Sequence, residues 1–570
     1  MALRLGDILV EKKLITAQEL ELAVKEQERS NKRLGQILVE MKFIGEKRML
    51  EALAGQQGLK FLELKDMKVD EKVIKSVPAK LVWHYKIMPI AIEGNVLTVA
   101  VADPFDMSPL DDLETHLGYR VEKALAPFLD ITEAIRTYYG VGADTIERIL
   151  SEQPREEGYI EAGKQEHVEN LEKMAEDASV VRLVNQILQQ AISQRATDVH
   201  IEHFRNELSL RYRRDGILYD MQAPKDVKYL YTAIISRVKV MSGLDIIERR
   251  LPQDGRAKVR IADKEYDLRI SIIPTLYGEN IVIRILPTSM LFSLSELGLA
   301  PKDLGIIEQL LARPYGIIFV TGPTGSGKTT TLYTCLNRLN LPERKIVSIE
   351  DPIEYEMKGI SQIQVNPAIG LTFARALRSI LRHDPNIIML GEVRDTETAD
   401  IVIQTALTGH LVFSTLHTND AASGITRLID IGVEPYLIAS SVEAFIAQRL
   451  LRVLCPDCKE LYVVEDIEYE KLKSLGLKAE SKGLKLYRAK GCRACGQTGF
   501  SGRIGIYEIL LLDNEIKKLI LQKTSSNVIK DRAIELGMQV LRDDGWSKVL
   551  AGITTPQEIM RVTHTEEIKE

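Results

Sequence analysis

The chain contains 570 residues, of which 45% are hydrophobic and 27% are charged, and its formal net charge is −6 at pH 7. This length exceeds what one hydrophobic core supports and predicts roughly three or four domains. The composition is that of a globular protein, the charge gives no reason to expect a nucleic-acid partner, and the lack of a signal peptide or of an apolar run near the roughly 18 residues of a membrane span predicts a cytoplasmic protein that meets a membrane only through partners.

The N-terminal segment carries an internal repeat. Arg4-Leu-Gly-Asp-Ile-Leu-Val-Glu-Lys-Lys-Leu-Ile15 recurs as Arg33-Leu-Gly-Gln-Ile-Leu-Val-Glu-Met-Lys-Phe-Ile44, and a glutamine, Gln27 or Gln56, closes each copy. The apolar spacing predicts a short helix, a turn and an amphipathic helix in each copy. A plain duplicated helical hairpin explains the apolar positions, but it explains the repeated Arg-Leu-Gly and the glutamines less well.

Strand and helix patterns alternate after the repeat. Val96–Asp103 is predicted as a strand that ends at an Asp-Pro turn, and Asp130–Tyr139 is predicted as a helix. The predicted organisation is an N-terminal domain at 1–140, a flexible linker at 141–170, a second domain at 171–290 and a third at 291–565, which includes a cysteine element at 455–495. The linker is rich in charge and poor in aromatic residues, which disfavours a packed core.

The second domain combines an amphipathic helix, predicted at Ser179–Ser193, with several strands. The strands are predicted at Leu208–Arg213, Asp215–Tyr219, Lys264–Ser271 and Glu279–Leu286. This pattern indicates a small α+β domain. Arg269 and Arg284 lie inside otherwise apolar strands, so we expect each of them to face an anion, because an unpaired charge beside a core is costly.

Gly322-Pro-Thr-Gly-Ser-Gly-Lys-Thr329 has the G-x-x-x-x-G-K-[ST] pattern of a phosphate-binding loop. It follows the apolar run Gly316–Val320 and precedes a helical pattern, so the strand, glycine loop and helix of that motif are all predicted. A glycine turn that only joins a strand to a helix would not need the whole pattern. Lys328 would meet the β and γ phosphates, and the Thr329 hydroxyl suits Mg²⁺. The predicted nucleotide-binding residues are Gly322, Pro323, Thr324, Gly325, Ser326, Gly327, Lys328, Thr329 and Thr330.

Three further strands predict a parallel sheet with polar side chains at its carboxyl edge. These strands are Lys345–Glu350, Asn386–Asp395 and Leu411–Thr415. Glu350 ends the first strand, and Asp351 and Glu354 follow it; all three are expected to meet water or metal there. Glu392 belongs to the second strand and is expected to act as the metal-binding acid, although many P-loop enzymes carry an aspartate at the position of Gly391.

Two histidines, His410 and His417, bracket the third of these strands. A lone histidine is more often a satisfied structural residue. Two histidines beside a strand end in a nucleotide domain are candidates to sense the γ-phosphate or to relay its state.

Four of the five cysteines form two C-x-x-C pairs, Cys455 with Cys458 and Cys492 with Cys495. Thiolates at this spacing close a tetrahedral Zn²⁺ site that has no open position for chemistry. A redox role is the alternative, but the Pro and Gly turns beside both pairs favour a structural site. The segment Lys459–Gly491 is predicted as a helical excursion clamped at its base, and the C-terminal segment is predicted as helices packed on the third domain.

The P-loop is followed in order by Ile349-Glu-Asp-Pro-Ile-Glu354, Gly391-Glu-Val-Arg-Asp395 and the pair Thr408-Gly-His410 and Thr415-Leu-His417. In these motifs, and over nearly its whole length, the chain resembles the type II/type IV secretion ATPase superfamily and most of all its type IV pilus assembly (extension) ATPases. The resemblance implies a multidomain α/β protein. A RecA-like P-loop motor domain with a parallel sheet would follow a small α+β domain of the PAS-like kind and an N-terminal domain of mixed helical and α+β structure, and the motor would carry a zinc-binding tetracysteine insertion.

The resemblance also implies roles for individual residues. Glu350 is a candidate to polarise the attacking water, and Glu392 to hold Mg²⁺ and share that role; the sequence does not assign the two carboxylates. Arginines of the second domain, here Arg269 and Arg284 and less so Arg256, reach the nucleotide in this family, often across a subunit interface. The implied reaction is in-line attack of water on the γ-phosphoryl group, promoted by positioning and charge stabilisation.

The N-terminal repeat resembles tandem Arg-Leu-Gly repeats that bind cyclic di-GMP in some members of this superfamily. An arginine fork can read guanine edges or phosphates. The residues predicted for this ligand are Arg4, Leu5, Gly6, Gln27, Arg33, Leu34, Gly35 and Gln56. The family motif has a glycine where this chain has Lys13 and Lys42, which leaves a structural or docking role for the domain open.

The implied function is that of a homohexameric ATPase that powers pilin assembly into a type IV pilus. Its implied partners are an inner-membrane platform protein and cytoplasmic ring or alignment proteins, and its implied cofactors are ATP, Mg²⁺ and Zn²⁺, with cyclic di-GMP as a regulator. A type II protein secretion ATPase is an alternative with the same chemistry. A cyclic di-GMP-responsive binding protein with an idle ATPase is an alternative of another class, which the intact Lys328, Thr329, Glu350 and Glu392 disfavour.

Overall fold

The structure is a computed structural model that describes residues 5–27, 29–30, 33–106, 108–140, 143, 145–146, 177–205, 207–221, 225–261, 263–287, 293–479 and 483–563. The chain divides into two compact units, Met1–Ile285 and Leu286–Glu570. Arg4 and nearly all of the predicted linker lie outside the described residues. Within the described ranges, no helix combines the length and the apolar character that crossing a membrane requires.

The first unit contains helices and two sheets. Its helices are α1 (Leu5–Glu11), α2 (Ala17–Gln27), α3 (Leu34–Glu40), α4 (Glu46–Gln57), α5 (Glu71–Ser76), α6 (Ala79–Tyr85), α7 (Ser108–Leu117), α8 (Phe128–Tyr139), α9 (Ala178–Ser193) and α10 (Tyr231–Met241). Its strands are β1 (Lys60–Phe61), β2 (Met88–Glu93), β3 (Val96–Val101), β4 (Arg120–Leu125), β5 (Asp198–His203), β6 (Leu208–Arg214), β7 (Ile217–Met221), β8 (Gln253–Ile261), β9 (Lys264–Thr275) and β10 (Gly278–Pro287). One sheet has the order β1-β4-β3-β2, and the other has the order β7-β6-β5-β10-β9-β8.

Each sheet of the first unit covers a hydrophobic core. Leu97 of β3 is fully buried in the core that helices α1–α8 help to enclose. In the second core, Leu183 of α9 and Val238 of α10 pack with inward-facing residues of the six-stranded sheet. The predicted strand that begins at Val96 and the predicted amphipathic helix that ends at Ser193 are therefore confirmed.

The second unit is built around one sheet. Its helices are α11 (Pro301–Leu311), α12 (Lys328–Leu339), α13 (Phe373–Ile380), α14 (Thr396–Leu407), α15 (Ala422–Ile431), α16 (Pro435–Ser441), α17 (Asp466–Ser474), α18 (Asn514–Leu521), α19 (Ser526–Glu535), α20 (Leu541–Leu550) and α21 (Pro556–Val562). Its strands are β11 (Gly316–Thr321), β12 (Ile346–Glu350), β13 (Ile360–Gln364), β14 (Ile387–Leu390), β15 (Leu411–Leu416), β16 (Val442–Leu454), β17 (Glu460–Val463), β18 (Lys485–Arg488) and β19 (Phe500–Leu511).

The seven-stranded sheet has the order β13-β12-β14-β15-β11-β16-β19, and it is parallel except for β19, which runs antiparallel to β16. Alternate residues of β11 enter two different cores: Ile317 and Phe319 belong to one, and Ile318 and Val320 belong to the other. A strand covered on both faces is apolar at successive positions, which explains the unbroken apolar runs of the sequence.

Two features of the second unit correct the sequence-based description. The long strands β16 and β19 were not predicted, because polar residues such as Gln448 and Arg449 interrupt the apolar pattern of β16. The prediction of a helical excursion at Lys459–Gly491 is wrong in part. The segment contains α17, but the strands that flank this helix, β17 and β18, form a two-stranded antiparallel sheet in which Glu460 is paired with Arg488.

Candidate active site

The P-loop follows β11 near the middle of the seven-stranded sheet, and α12 begins at Lys328. Gly325 and Gly327 have φ angles of 79° and 90°, in the left-handed region that side chains avoid. Gly322 has no room for a side chain, because a Cβ would lie 2.5 Å from Ser326 Oγ and 2.7 Å from Gln448 O. The loop therefore brings backbone N–H groups to the N-terminus of α12, an arrangement suited to phosphate binding.

Lys328 bonds to the loop itself. Its Nζ donates to Gly322 O at 2.7 Å and to Pro323 O at 3.0 Å. Burial lowers the pKa of Lys328 to about 8. The Ser326 hydroxyl is buried and has no hydrogen-bond partner among the described residues. A half-buried Thr329 follows the lysine. The Ser326 hydroxyl, the desolvated Lys328 ammonium and the neighbouring Thr329 hydroxyl are the groups that a triphosphate with Mg²⁺ would satisfy.

Glu350 ends β12 and is only 3% exposed. Its carboxylate accepts hydrogen bonds from the Tyr333 hydroxyl, from Ser348 Oγ at 2.6 Å and from Gln362 Nε2 at 3.1 Å. The Glu354 N–H donates to the same Tyr333 hydroxyl at 3.3 Å. Because both oxygens of Glu350 are engaged inside the protein, its geometry suits the orientation of the segment after β12 better than direct activation of water.

Glu392 follows β14 at the same carboxyl edge of the sheet and is mostly buried. Its carboxylate pairs with Arg394 and lies 3.5 Å from His417 Nε2. Burial and the nearby charge of Lys328 lower the pKa of His417, so the imidazole is favoured in its neutral form. The charge of Glu392 partly offsets the lowering of the Lys328 pKa by burial. Exposed Asp351 adds negative charge beside Arg394. These residues form one charged cluster beside the P-loop.

His410 does not join this cluster. It directly precedes β15, and its carbonyl accepts a hydrogen bond from the N–H of Gly316, the first residue of β11. The P-loop lies at the other end of β11, and six residues of strand span roughly 20 Å. The His410 Nδ1–H donates to Thr405 O at 2.9 Å, as expected for a structural histidine. Residues that precede a parallel strand lie at the amino edge of the sheet, and residues that follow it lie at the carboxyl edge. His410 precedes the third strand and His417 follows it, so the sequence already indicates that the two histidines lie at opposite edges.

The arginines predicted to reach the nucleotide lie on the six-stranded sheet of the first unit. Arg284 of β10 is paired in register with Asp198 of β5, and its Nε donates to Asp198 Oδ1 at 3.1 Å while its side chain stays 55% exposed. The anion expected for Arg284 is thus supplied within its own domain. Arg269 of β9 is half-buried and is paired in register with exposed Arg256 of β8.

The four paired cysteines converge as the spacing predicts. Their Sγ atoms all lie within 4.8 Å of one another. The Cys455–Cys492 and Cys458–Cys495 separations are 3.8 and 3.9 Å, and a tetrahedron with Zn–S bonds of about 2.3 Å has edges of about 3.8 Å. The N–H groups of Cys492 and Gly499 donate to Cys495 Sγ at 3.2 and 3.1 Å, which suits a thiolate. The residues present therefore fit a structural Zn²⁺ ion.

The N-terminal repeat forms two helical hairpins, α1 with α2 and α3 with α4. Leu5 and Leu34 begin the first helix of each copy, and Gln27 and Gln56 lie near the ends of the second helices. Arg33 Nη1 donates to both carboxylate oxygens of Asp103 at 2.5 Å. Its guanidinium also lies 5.0 Å from the ring centre of Phe105. The equivalent Arg4 lies outside the described residues.

The glycines of the repeat serve helix packing. A Cβ on Gly6 would lie 2.7 Å from Leu20 Cδ1, and a Cβ on Gly35 would lie 3.0 Å from Met49 Sδ. Leu20 and Met49 occupy equivalent positions in the two copies, so the same contact occurs twice. The repeated glycine is explained by this contact without any ligand.

Sequence reasoning missed three side chains that complete the site. Tyr333 lies one turn into α12 and bonds to Glu350. Gln448 and Arg449 of β16 lie against the P-loop, where a Cβ on Gly322 would approach Arg449 Nη1 to 3.1 Å. A Gln-Arg pair inside an otherwise apolar strand is the signal that points to them, because buried polar groups need partners.

Comparison with known proteins gives one family for most of the chain. The Type II/IV secretion system protein family matches residues 173–561, and the MshEN domain matches residues 57–145. The second match begins after both copies of the N-terminal repeat.

Individual relatives extend over nearly the whole chain. The type IV pilus assembly ATPase PilB of Myxococcus xanthus is 42% identical over 98% of this chain and 99% of its own length. The type II secretion system protein E of Xanthomonas campestris is 39% identical over 98% of both chains. Among solved structures, the ATPase DotB of Legionella pneumophila has a TM-score of 0.50 at 22% identity and covers 66% of this chain and 94% of its own, a likeness of fold.

Proposed function

The chain belongs to the type II/IV secretion system protein family as a P-loop ATPase, and on that premise we propose that it is a cytoplasmic hexamer that hydrolyses ATP to drive pilin assembly into a type IV pilus. Hydrolysis would change the angle between the second domain and the motor domain. That motion would act on an inner-membrane platform protein and would be the only link of the chain to the membrane, with cytoplasmic ring or alignment proteins as further partners and no role for nucleic acid.

The proposed hydrolysis rests on one observation, the convergence of Lys328, Glu392 and His417 beside the glycine loop. Lys328 would exchange its two loop carbonyls for β- and γ-phosphate oxygens. Glu392 and Thr329 would hold Mg²⁺, directly or through water, and the ion would neutralise charge on the phosphates. Neutral His417, next to Glu392, would contact the γ-phosphate and respond to its loss. Glu350, held by Tyr333, would keep the segment after β12 in position.

Phosphate release tests this proposal directly. We expect wild type to hydrolyse ATP with Mg²⁺ and Lys328→Ala to lose most of the activity, since the lysine charge acts on the transferred group. Lys345→Ala, at the amino end of β12, is the matched control and should keep wild-type activity. Equal rates for wild type and Lys328→Ala would reject the proposed ATPase motor. The alternative, a cyclic di-GMP-responsive binding protein with an idle ATPase, would then be favoured.

Type II protein secretion is the second candidate machine, because relatives of nearly equal identity carry both names. The two are separated by complementation of a pilus-deficient deletion strain. We expect wild type to restore surface pili and Lys328→Ala to fail. Restored protein secretion without pili would favour the second candidate.

We propose that the tetracysteine cluster holds one Zn²⁺ per chain in a structural role. Metal analysis of the purified chain should give about one zinc, and Cys492→Ser should lose it. Cys335→Ala is the matched control, because Cys335 is buried on α12 and lies outside the cluster. A zinc content well below one in wild type would contradict the proposal.

We propose cyclic di-GMP as a regulator of the N-terminal repeat. The ligand would draw Arg33 away from Asp103, and Arg4 would act from the equivalent position of the first copy. Calorimetry with cyclic di-GMP should give heat for wild type and little for the Arg4→Ala, Arg33→Ala double variant. Arg48→Ala, an exposed arginine of α4, is the control. The absence of heat with wild type would show that cyclic di-GMP does not bind and would reject this proposal.

A further inference from the structure

Strand β16 continues past the point where its neighbour β11 ends. Thr321, the last residue of β11, is paired in register with the residue before Gln448, so Gln448 and Arg449 run alongside the P-loop. The fit is close, because a Cβ on Gly322 would lie 2.7 Å from Gln448 O and a Cβ on Gly327 would lie 2.8 Å from Gln448 Nε2. β16 thus packs directly against the glycine loop.

Gln448 also holds the first turn of α12. Its Oε1 accepts a hydrogen bond from Thr331 Oγ1 at 2.8 Å, and both side chains are buried. A single side chain therefore touches the loop and the helix that the loop begins. Any shift of β16 at this level would move both the glycine loop and the first turn of α12.

Arg449 links the part of β16 that packs against the P-loop to a second segment. Its side chain is only 7% exposed. One guanidinium nitrogen, Nη1, donates to Gln448 O at 2.9 Å, and the other, Nη2, donates to Asn419 O at 2.7 Å. Asn419 lies two residues after His417. One planar fork therefore links the backbone behind Gly322 to the segment that carries the histidine beside Glu392.

The same segment makes two further contacts, one to Glu508 and one from its own Asp420 to Lys530. Glu508 of β19 is fully buried, and its Oε1 accepts the Ala421 N–H at 2.9 Å. Asp420 lies 3.4 Å from Lys530 Nζ. Burial lowers the pKa of Arg449, while the charges of Glu508 and Asp420 raise it, so the buried guanidinium is partly compensated.

We infer that Arg449 is a positioning residue for ATP hydrolysis, which holds the P-loop and the His417 segment in one fixed arrangement so that both meet the γ-phosphate together. This inference rests on the proposed ATPase function. A guanidinium reaches two carbonyls in one plane, whereas an ammonium carries the same charge without the fork. The buried positive charge behind the loop also favours bound phosphate. Arg449 therefore has a charge effect on nucleotide binding and a geometric effect on the arrangement of the site.

Two variants of the full chain separate these effects. Arg449→Lys keeps the charge and should bind ADP within about threefold of wild type, yet its kcat should fall about 10- to 100-fold, because small misplacements of reacting groups cost that much. Arg449→Gln removes the charge and should weaken ADP binding as well. Calorimetry with ADP, steady-state phosphate release and thermal unfolding supply the readouts.

Arg452→Gln is the matched control on the same strand. Arg452 is paired with Glu558 at 2.8 Å and lies 4.0 Å from the ring centre of Phe500, so its loss should lower Tm but keep kcat and ADP affinity. Wild-type kcat in Arg449→Lys would overturn the inference. So would losses of kcat in both Arg449→Lys and Arg452→Gln that follow Tm alone.

A double-mutant cycle with His417→Ala tests the link itself. If Arg449 acts through the His417 segment, His417→Ala should lower kcat strongly in wild type and little in Arg449→Lys. Factors that multiply would show that the two residues act independently and would reject the link. Absence of hydrolysis in wild type would instead reject the proposed function, so the two failures are distinct.

Discussion

Lys328 sits in a site that disfavours its charge. Burial lowers its pKa to about 8, and two backbone carbonyls of the loop accept its hydrogen bonds. Since the ordinary lysine pKa is about 10.4, the unfolded chain binds this proton first as the pH falls from about 10 to about 8, and the empty folded protein loses stability over that window. Bound phosphate would reverse this penalty.

The lowered pKa predicts that nucleotide affinity depends on pH. Only the charged lysine attracts phosphate, so ADP affinity should be constant below about pH 7 and should fall by up to about tenfold per pH unit above about pH 8. Calorimetry between about pH 7 and pH 9.5 measures the slope. Lys328→Arg stays charged over this range and should bind weakly but with a flat profile. A flat profile in wild type would contradict the lowered pKa.

Tyr333 offers a second test at the scale of one atom. Burial and the charge of Glu350 raise the pKa of its hydroxyl, which keeps it a donor to that carboxylate. Tyr333→Phe removes the donor to Glu350 and also the acceptor of the Glu354 N–H, so we expect kcat to fall about tenfold, because a single buried hydrogen bond to a charged group is worth about 1.5–3 kcal/mol. Tyr436→Phe, an exposed tyrosine of α16, should behave as wild type. An unchanged kcat in Tyr333→Phe would show that the hydrogen bond from Tyr333 to Glu350 is not needed for hydrolysis.

At the scale of elements, helices α1 and α3 end in the same way. The Lys13 and Leu14 N–H groups donate to Val10 O and Leu9 O, both at 2.9 Å. This is the double hydrogen bond of a Schellman helix end, whose left-handed position is usually a glycine. Lys13 occupies that position with φ of 54°, and Lys42 does so in the second copy with φ of 62°. The position at which the family motif has a glycine is thus a helix end in this chain, and the lysine at that position affects the stability of the hairpin.

This geometry predicts that glycine stabilises the N-terminal domain. Lys13→Gly and Lys42→Gly relieve the left-handed strain, and each should stabilise its hairpin by about 0.5–1 kcal/mol after the entropy of the unfolded chain is counted. Hydrogen exchange of the full chain, followed over α1–α4, measures the local gain. Lys25→Gly, inside α2, is the control and should do the opposite. Faster exchange in Lys13→Gly would show that the lysine side chain holds the hairpin.

The elements that sequence predicts well are those whose partners are close along the chain. β11, the P-loop and α12 follow one another directly, and the apolar runs of β12, β14 and β15 are buried on both faces. β16 escapes prediction because Gln448 and Arg449 find their partners in the P-loop and in Asn419. Its antiparallel partner β19 lies beyond the whole cysteine element. Polar residues on a buried strand are explained only by contacts that the local pattern does not contain.

At the scale of the whole molecule, the candidate nucleotide residues are divided between two units. The P-loop lies in the second unit, whereas Arg269 and Arg284 lie in the first. Arg284 already has Asp198 as a partner, and its side chain remains more exposed than buried. Arg284 therefore carries no unpaired buried charge in its own domain, and its exposed side chain is open to a further anion.

Mixed assemblies test whether these arginines act between subunits. The Arg269→Ala, Arg284→Ala double variant and Lys328→Ala should each be nearly inactive alone. Mixed before assembly, they should regain part of the wild-type rate, since one chain supplies an intact P-loop and its neighbour supplies the arginines. A mixture of Lys328→Ala with Glu392→Gln should stay inactive, because both lesions lie in the same motor site. No recovery in the first mixture would confine the arginines to their own chain.

The tetracysteine cluster has a consequence for how the chain reaches its fold. β16 ends directly before Cys455, and β19 begins shortly after Cys495, so the thiolates tie the base of an excursion that interrupts a hairpin. Pairing the two strands without metal would require closing that excursion as a long loop, at an entropic cost. The proposed zinc ion, bound first, would close the base of the excursion and lower this cost. If the cluster holds zinc, a chain made in a zinc-poor cell would leave β16 and β19 unpaired with each other, and unpaired strand edges are prone to aggregation.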